Sequence, residues 1–163
     1  PCENRLDSDD WERAMIAQTP RAVIDTNAST PASANVVAGV TPTTLFTREG
    51  APLDSSMPDN VCQVPIASIT AGLDVRQALL KLGEQGANEI LVEAGPTLVG
   101  ALEQENLIDQ WLIYMAPVML GSDARPTHHA VFNLLGQANR YSISAHDLIG
   151  DDLRIIMRQV AEG

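Results

Sequence analysis

The stretch EILVEAGPTLVGA, residues 89–101, decides the fold class of this chain. It opens with a short apolar run, Ile90–Val92, which predicts a strand over 89–92 because it is too brief for a helix and rich in strand formers. The chain then turns at Gly95 and resumes with Pro96, which suits the first turn of a helix since its missing N–H would have no intrahelical partner. The stretch therefore predicts a strand, a tight glycine turn and a helix.

This order of elements also indicates a binding place. In an open α/β sheet, ligands bind in the crevice at the carboxyl ends of the strands. Free N–H groups and the positive end of the helix dipole favour a phosphate at such a turn. Glu93 adds one carboxylate at the predicted strand end. A plain helix start with a solvated carboxylate gives the same spacing, so the residues alone leave both interpretations open.

The flanking segments predict an α/β domain with a mostly parallel sheet. Asp74 and Gln77 have capping-box spacing before a helix that ends at Gly86. Strands are predicted at Arg21–Asp25, Thr43–Thr47, Val61–Ile66 and Asp109–Ala116, and an antiparallel hairpin at Tyr141–Ala145 and Leu153–Val160. The β-α-β-α-β order in the middle has crossovers of the length that parallel strands need.

Two helices need separate mention. Ser8–Asp10 predict the cap of a short helix through Trp11 and Ile16 that stops before Pro20. The helix that begins at Pro96 is predicted to turn Leu98, Ala101 and Leu102 inward and Glu103, Gln104 and Glu105 to solvent.

Composition narrows the class of protein. The 163 residues suit one domain, and 45% hydrophobic with only 4% aromatic content predicts an aliphatic core. The net charge of −11 argues against a nucleic-acid partner, and no apolar run reaches the length of a membrane span.

Cys2 and Cys62 are predicted to be free thiols of a cytoplasmic protein. The adjacent His128 and His129 point apart, so no metal site is expected.

The sequence VEAGPTLVGALEQENLIDQWLIYMAPVMLGSDARP, residues 92–126, resembles the C-terminal reductase domain of the bifunctional riboflavin-biosynthesis deaminase–reductase. That family has a dihydrofolate-reductase-like fold. It shares the Glu-Ala-Gly-Pro-Thr-Leu turn, a strand that ends in Ala-Pro, and Leu-Gly-Ser-Asp-Ala-Arg. RAVIDT, residues 21–26, is a second, shorter match.

The resemblance implies NADPH-dependent reduction of the ribosyl group of 5-amino-6-(5-phosphoribosylamino)uracil to a ribityl group. It implies Glu93 as a contact of the phosphorylated pyrimidine substrate. Thr26 and the turn are implied as cofactor contacts, the turn residues being Gly95, Pro96, Thr97, Leu98, Val99, Gly100 and Ala101. Thr26 is equally consistent with a hydroxyl that caps a turn. No catalytic residue is identified, since hydride transfer needs no protein nucleophile.

Three positions qualify the resemblance. Val118 stands where relatives often carry lysine. Arg125 is interpreted as an ion-pair partner of Asp123, with phosphate binding as the alternative. Asp25 is interpreted as a strand-end charge rather than a second carboxylate of the site.

Family members carry a first strand and helix of the fold, and a deaminase domain, before the position that matches Pro1. Residues 1–163 are therefore expected to be a partial reductase domain that does not turn over by itself. Relatives pair through the sheet, so a homodimer is expected. The rival interpretation is an inactive nucleotide-binding or dimerisation module of the same fold. Whether the pyrimidine is reduced before or after deamination stays open.

Overall fold

The computed structural model describes residues 19–52, 54–70, 72–132 and 138–160. The chain forms two compact units whose boundary lies between Gln85 and Gly86. The helix predicted from Ser8 to Ile16 lies outside the described residues. Among the described residues, no helix is long and apolar enough to cross a membrane.

The first unit is built on a parallel sheet, as predicted. Its strands β1 (Arg21–Ile24), β2 (Thr43–Arg48) and β3 (Val61–Ile66) are ordered β1-β2-β3, with Arg21 opposite Thr43 and Thr43 opposite Val61. Two short strands, β4 (Ser68–Ile69) and β5 (Gly72–Leu73), form an antiparallel pair before helix α1 (Val75–Glu84).

The core of this unit lies around the middle strand β2. Phe46 is fully buried and clusters with Ile66, Leu73 and Ala78, so α1 packs its apolar stripe against this cluster. Asp74 caps α1 by accepting a hydrogen bond from the Gln77 N–H at 3.0 Å, which confirms the predicted helix start. Gly86 has a φ of 95°, a conformation that favours glycine, directly after the helix end.

The second unit carries helix α2 (Pro96–Gln104) and an antiparallel sheet. The sheet contains β6 (Gln110–Met115), β7 (Tyr141–Ile149) and β8 (Asp152–Gln159) in the order β6-β8-β7. The predicted hairpin is confirmed, and it turns at Gly150, whose φ is 62°. The prediction that β6 continues a parallel sheet is wrong, because β6 pairs antiparallel with β8. The hydrophobic pattern of a segment predicts that the segment is extended, but it does not predict which strand lies next to it in the sheet.

The strand predicted over 89–92 is not formed. Ile90, Leu91 and Val92 are 39%, 76% and 41% exposed and belong to an irregular segment. A strand persists only where its N–H and C=O groups are paired. No described strand pairs with these residues, so the apolar run alone does not make them a strand.

Cys62, on β3, is disulfide-bonded, so the prediction of a free thiol is wrong at this position. A lone cysteine in a strand gives no local pattern from which a disulfide can be predicted.

Candidate functional site

The start of α2 is open to solvent. Gly95 is the N-cap residue in extended conformation, Pro96 follows it, and no side chain of the described residues caps the helix. A Cβ built on Gly95 would meet no heavy atom within 4 Å, and Thr97 is exposed. The N–H groups of the first helical turn have no intrahelical acceptor. Those of Thr97 and Leu98 therefore form a site that an anion can approach.

Glu93 lies two residues before this turn and is exposed. It belongs to the irregular segment that replaces the predicted strand, so its carboxylate stands free in solvent next to the open helix start. The predicted substrate contact and the predicted cofactor turn are thus contiguous in the second unit.

Gly100, four residues after Pro96, has a packing role. It is buried, and a Cβ at this position would lie 2.9 Å from backbone atoms of His129 and Ala130. The His129 N–H also donates to the Pro96 carbonyl at 2.9 Å. The segment around His129 therefore crosses α2 at a glycine and is tied to its first turn. The remaining predicted cofactor contacts of the helix, Leu98, Val99 and Ala101, are half-buried.

The inner side of α2 holds a carboxylate that was predicted to face solvent. Glu103 is only 5% exposed, so that prediction is wrong. Its Oε2 accepts a hydrogen bond from the Tyr141 hydroxyl at 2.7 Å, and its backbone carbonyl accepts one from the Asn139 side-chain amide at 2.7 Å. Trp111 packs edge-on against the Tyr141 ring, with centroids 6.2 Å apart. The charge is tolerated because its polar atoms have partners.

The same network changes the acidity of the phenol. Burial raises the pKa of Tyr141 to about 12, and the neighbouring Glu103 carboxylate acts in the same direction. Tyr141 therefore stays protonated and remains a donor to Glu103 at neutral pH. Sequence reasoning missed this pair, since the two residues are separated by 38 positions and no local spacing links them.

Thr26 lies in the first unit, at the carboxyl ends of β1 and β2. The Asp25 N–H donates to the Phe46 carbonyl at 2.9 Å, and the Arg48 N–H donates to the Thr26 carbonyl at 3.1 Å. The two strand ends are thereby held side by side. Thr26 is half-buried at this edge.

Asp25 is a structural carboxylate, in line with its interpretation as a strand-end charge. It is buried, and it accepts hydrogen bonds from the Ser29 hydroxyl at 2.9 Å and from the Thr30 N–H and hydroxyl at 2.6 and 2.7 Å. Burial raises the pKa of Asp25, but hydrogen bonds from Ser29 and Thr30 outweigh it and lower the pKa to about 2. The carboxylate therefore fixes the loop after β1.

Arg48 is a cation at the same edge that sequence reasoning missed. It ends β2 and is exposed. Its Nε donates to the Asn27 Oδ1 at 3.2 Å, and its Nη1 lies 3.5 Å from the Glu49 carbonyl. The sequence did contain a signal for Arg48. It is an arginine at the end of β2, the strand next to β1, and Thr26 follows β1.

The segment that follows β6 exposes its side chains to solvent. Val118 and Met119 are 63% and 98% exposed, and Arg125 is also exposed. Within the described part of the chain Arg125 forms no ion pair, so its predicted pairing with Asp123 is wrong. Both side chains lie in a solvent-exposed loop, where an ion pair gains little.

A family profile described as the RibD C-terminal domain matches residues 3–139. The riboflavin biosynthesis protein RibD of Escherichia coli (strain K12) is 47% identical over 68 residues, which cover 42% of this chain and 18% of that protein. The 5-amino-6-(5-phosphoribosylamino)uracil reductase of Buchnera aphidicola subsp. Acyrthosiphon pisum is 32% identical over 102 residues, covering 61% of this chain and 49% of that protein.

A solved structure of Acinetobacter baumannii RibD superposes on 98% of this chain and 42% of that one, with a TM-score of 0.76 and 25% sequence identity. The likeness confirms the predicted α/β fold of the dihydrofolate-reductase type. The chain spans less than half the length of the curated relatives compared with it above.

Proposed function

Because the chain belongs to the RibD C-terminal domain family, we propose that it forms the reductase part of a riboflavin-biosynthesis enzyme. The reaction is the NADPH-dependent reduction of the ribosyl group of 5-amino-6-(5-phosphoribosylamino)uracil to the ribityl product. The name of the Buchnera aphidicola relative, a 5-amino-6-(5-phosphoribosylamino)uracil reductase, supports this substrate class.

One observation carries the proposal, namely the open start of α2. Gly95 leaves space in front of the helix, and the first-turn N–H groups and the Thr97 hydroxyl are donors at its edge. In a chain with a net charge of −11, backbone amides and a helix dipole supply positive potential without cationic side chains. This donor set fits the pyrophosphate of a dinucleotide.

The cofactor contacts of the proposal are Gly95 to Val99 around that turn, Gly100 and Ala101 further along the helix, and Thr26 in the first unit. When bound, NADPH supplies the hydride that reduces C1′ of the sugar in its open form. The protein residues bind and orient, which fits a site without a protein nucleophile.

Glu93 holds the substrate in this proposal. Its carboxylate is exposed two residues before the turn, so it is available to accept hydrogen bonds from sugar hydroxyls beside the cofactor turn. A carboxylate makes charge-assisted hydrogen bonds, which are stronger than neutral ones and fix orientation.

The test is turnover of the aminouracil substrate by the intact protein and by Glu93→Gln, followed as the loss of NADPH absorbance. We expect kcat/KM to fall at least about tenfold, equal to ~1.4 kcal/mol, with NADPH affinity unchanged. Glu89→Gln is the matched control, since Glu89 is also exposed and precedes the turn. If kcat/KM is unchanged in Glu93→Gln, Glu93 does not contact the substrate and is an ordinary solvent-exposed charge.

A second candidate is an assembly module that pairs two copies of this chain. The observation that favours it is the exposure of apolar side chains in the second unit, where Met119 and Leu120 are 98% and 74% exposed. Symmetric dimers are the commonest oligomers of soluble proteins. Pairing and reduction are compatible, so we propose a homodimer in either case.

A further inference from the structure

We propose that His128 is a positioning residue of the candidate site: its Nδ1 atom fixes the segment 128–130, and this segment holds the first turn of α2 in place. All the contacts that carry this inference lie within the second unit. The inference rests on the proposed function for one consequence, namely that the start of α2 binds NADPH less tightly when the segment is released.

The first turn of α2 is held from outside the helix. Gly95 is its N-cap residue, and no side chain of the described part of the chain caps the free N–H groups. Helix ends without such caps fray. The Pro96 carbonyl, which belongs to this turn, accepts a hydrogen bond from the His129 N–H at 2.9 Å. A distant part of the chain therefore ties down the turn that the proposed function uses.

The segment 128–130 also lies directly against the helix. A Cβ built on Gly100 would be 2.9 Å from the backbone nitrogens of His129 and Ala130. Only a glycine leaves room for a backbone at this distance. A shift of the segment therefore alters its contacts with both Gly100 and Pro96.

His128 sets the position of this segment. Its Nδ1 accepts a hydrogen bond from the Ala130 N–H at 3.2 Å, and the bond encloses His129, the residue that binds Pro96. The His128 ring packs against Trp111 on β6, with ring centroids 6.0 Å apart. His128 and Ala130 are half-buried, so without this acceptor the Ala130 N–H would lose a partner in a place with little water.

Trp111 connects this contact to the other end of α2. It packs edge-on against Tyr141, whose hydroxyl donates to the Glu103 carboxylate at 2.7 Å. Both ends of α2 are thus attached to side chains that surround one tryptophan of the sheet. This arrangement gives His128 a fixed base from which to position the first turn.

The experiment compares His128→Phe with His128→Asn in the intact protein. Phenylalanine keeps an aromatic ring against Trp111 but has no acceptor for the Ala130 N–H. Asparagine loses the ring but keeps an acceptor, because the Oδ1 of an asparagine bonds the N–H two residues further along the chain. The two variants therefore separate the acceptor from the ring, and we expect asparagine to replace His128.

The first measurement is hydrogen exchange of the Val99 amide without ligand, since this amide donates to the Gly95 carbonyl at 3.2 Å in the first turn. Exchange is expected to be roughly three- to tenfold faster in His128→Phe, the size of one lost neutral hydrogen bond, and close to wild type in His128→Asn. The second measurement is the Kd for NADPH, which is expected to rise by a similar factor in His128→Phe alone.

His146→Phe is the matched control, because His146 is an exposed histidine of β7 in the same unit. It is expected to leave both measurements unchanged. The Gln159 amide, which donates to the Asp109 carbonyl at 3.0 Å, is expected to exchange at the wild-type rate in every variant and so reports that the sheet is folded.

Two results at Val99 overturn the inference while the proposed function stands: wild-type exchange in His128→Phe, or equally fast exchange in His128→Asn and His128→Phe. Faster exchange in His128→Phe with an unchanged Kd for NADPH overturns the positioning role of His128. A wild type that does not bind NADPH overturns the proposed function, and Val99 exchange then still decides whether His128 holds the first turn of α2.

Discussion

At the scale of single residues, the loop after β1 depends on one buried carboxylate. Asp25 has little contact with water and is satisfied by Ser29 and Thr30 within the next five residues. Buried charges are stable only with such partners. The sequence led us to interpret Asp25 as a strand-end charge, and the contacts with Ser29 and Thr30 add a structural role that its position alone did not predict.

Asp25→Asn is expected to destabilise the protein at neutral pH by on the order of 2 kcal/mol, which corresponds to the lowering of the Asp25 pKa from 3.8 to about 2. Because the folded-state pKa is the lower one, this stability is present above pH 3.8 and is lost as the pH falls to about 2. The measurement is the free energy of unfolding in urea across this range.

Asp54→Asn is the control for that series, since Asp54 is an exposed loop aspartate that also accepts hydrogen bonds from a serine, Ser56. It is expected to change the unfolding free energy little. An Asp25→Asn protein as stable as the wild type at pH 7 would show that the loop does not need the charge.

Gly95→Asp tests the cofactor turn. The φ of −74° at Gly95 is allowed for any residue and there is room for a Cβ, so the fold is expected to persist. The new carboxylate occupies the open space and repels phosphate, so NADPH affinity is expected to fall by about a hundredfold or more, ~2.8 kcal/mol. Titration of NADPH fluorescence measures this.

Gly121→Asp adds the same charge at another exposed glycine with equal room and is expected to leave NADPH affinity unchanged. Equal affinity in wild type and Gly95→Asp would remove the α2 start from the cofactor site.

At the scale of elements, helices were more predictable than strands. α1 carries its own signals, since Asp74 caps it and Gly86 ends it, and both act through neighbours within a few residues. The segment 89–92 has the composition of a strand, yet a strand forms there only if its backbone groups find a partner, and that partner can be far away in the sequence. For the same reason β6 was predicted at nearly the right residues and with the wrong neighbour.

The link between α2 and β7 is a second element-scale feature that the sequence does not reveal. Glu103 follows Leu102 on the helix and sits among charged and polar neighbours, so its local pattern indicates a solvent-facing residue. The Tyr141 hydroxyl and the Asn139 amide make burial of this carboxylate possible. Such compensation across 38 residues depends on the tertiary structure.

Tyr141→Phe is therefore expected to destabilise the protein by roughly 1–3 kcal/mol, because it leaves a buried carboxylate without its donor. Tyr114→Phe removes a hydroxyl from a residue that is 55% exposed on β6 and is expected to stay within about 0.5 kcal/mol of the wild type. Urea unfolding at neutral pH compares the two.

The same pair predicts an alkaline effect. The folded-state pKa of Tyr141 is raised from 10.0 to about 12. The contribution of Tyr141 to the free energy of unfolding is therefore complete below pH 10 and is lost as the pH rises to about 12. Tyr141→Phe should remove that part of the pH dependence. A wild type and variant with parallel stability curves would mean that the phenol does not interact with Glu103 in solution.

At the scale of the whole molecule, the acidic charge and the exposed apolar residues act in opposite directions. A net charge of −11 opposes nonspecific association. Met119 and Leu120 nevertheless expose most of their apolar surface after β6. The composition predicted an aliphatic core. The sheet that forms determines which aliphatic side chains remain exposed, and the sequence did not predict that selection.

A second copy of the chain is the partner we expect on that surface, because a two-fold contact lets identical apolar patches cover each other. Light scattering at micromolar concentration should give twice the mass of one chain. Met119→Asp should shift the protein to monomer, because a pair of like charges would meet at the contact. Thr127→Asp adds the same charge at an exposed polar position and should leave the dimer intact. A monomeric wild type would contradict the homodimer, and a dimeric Met119→Asp would place the contact elsewhere on the chain.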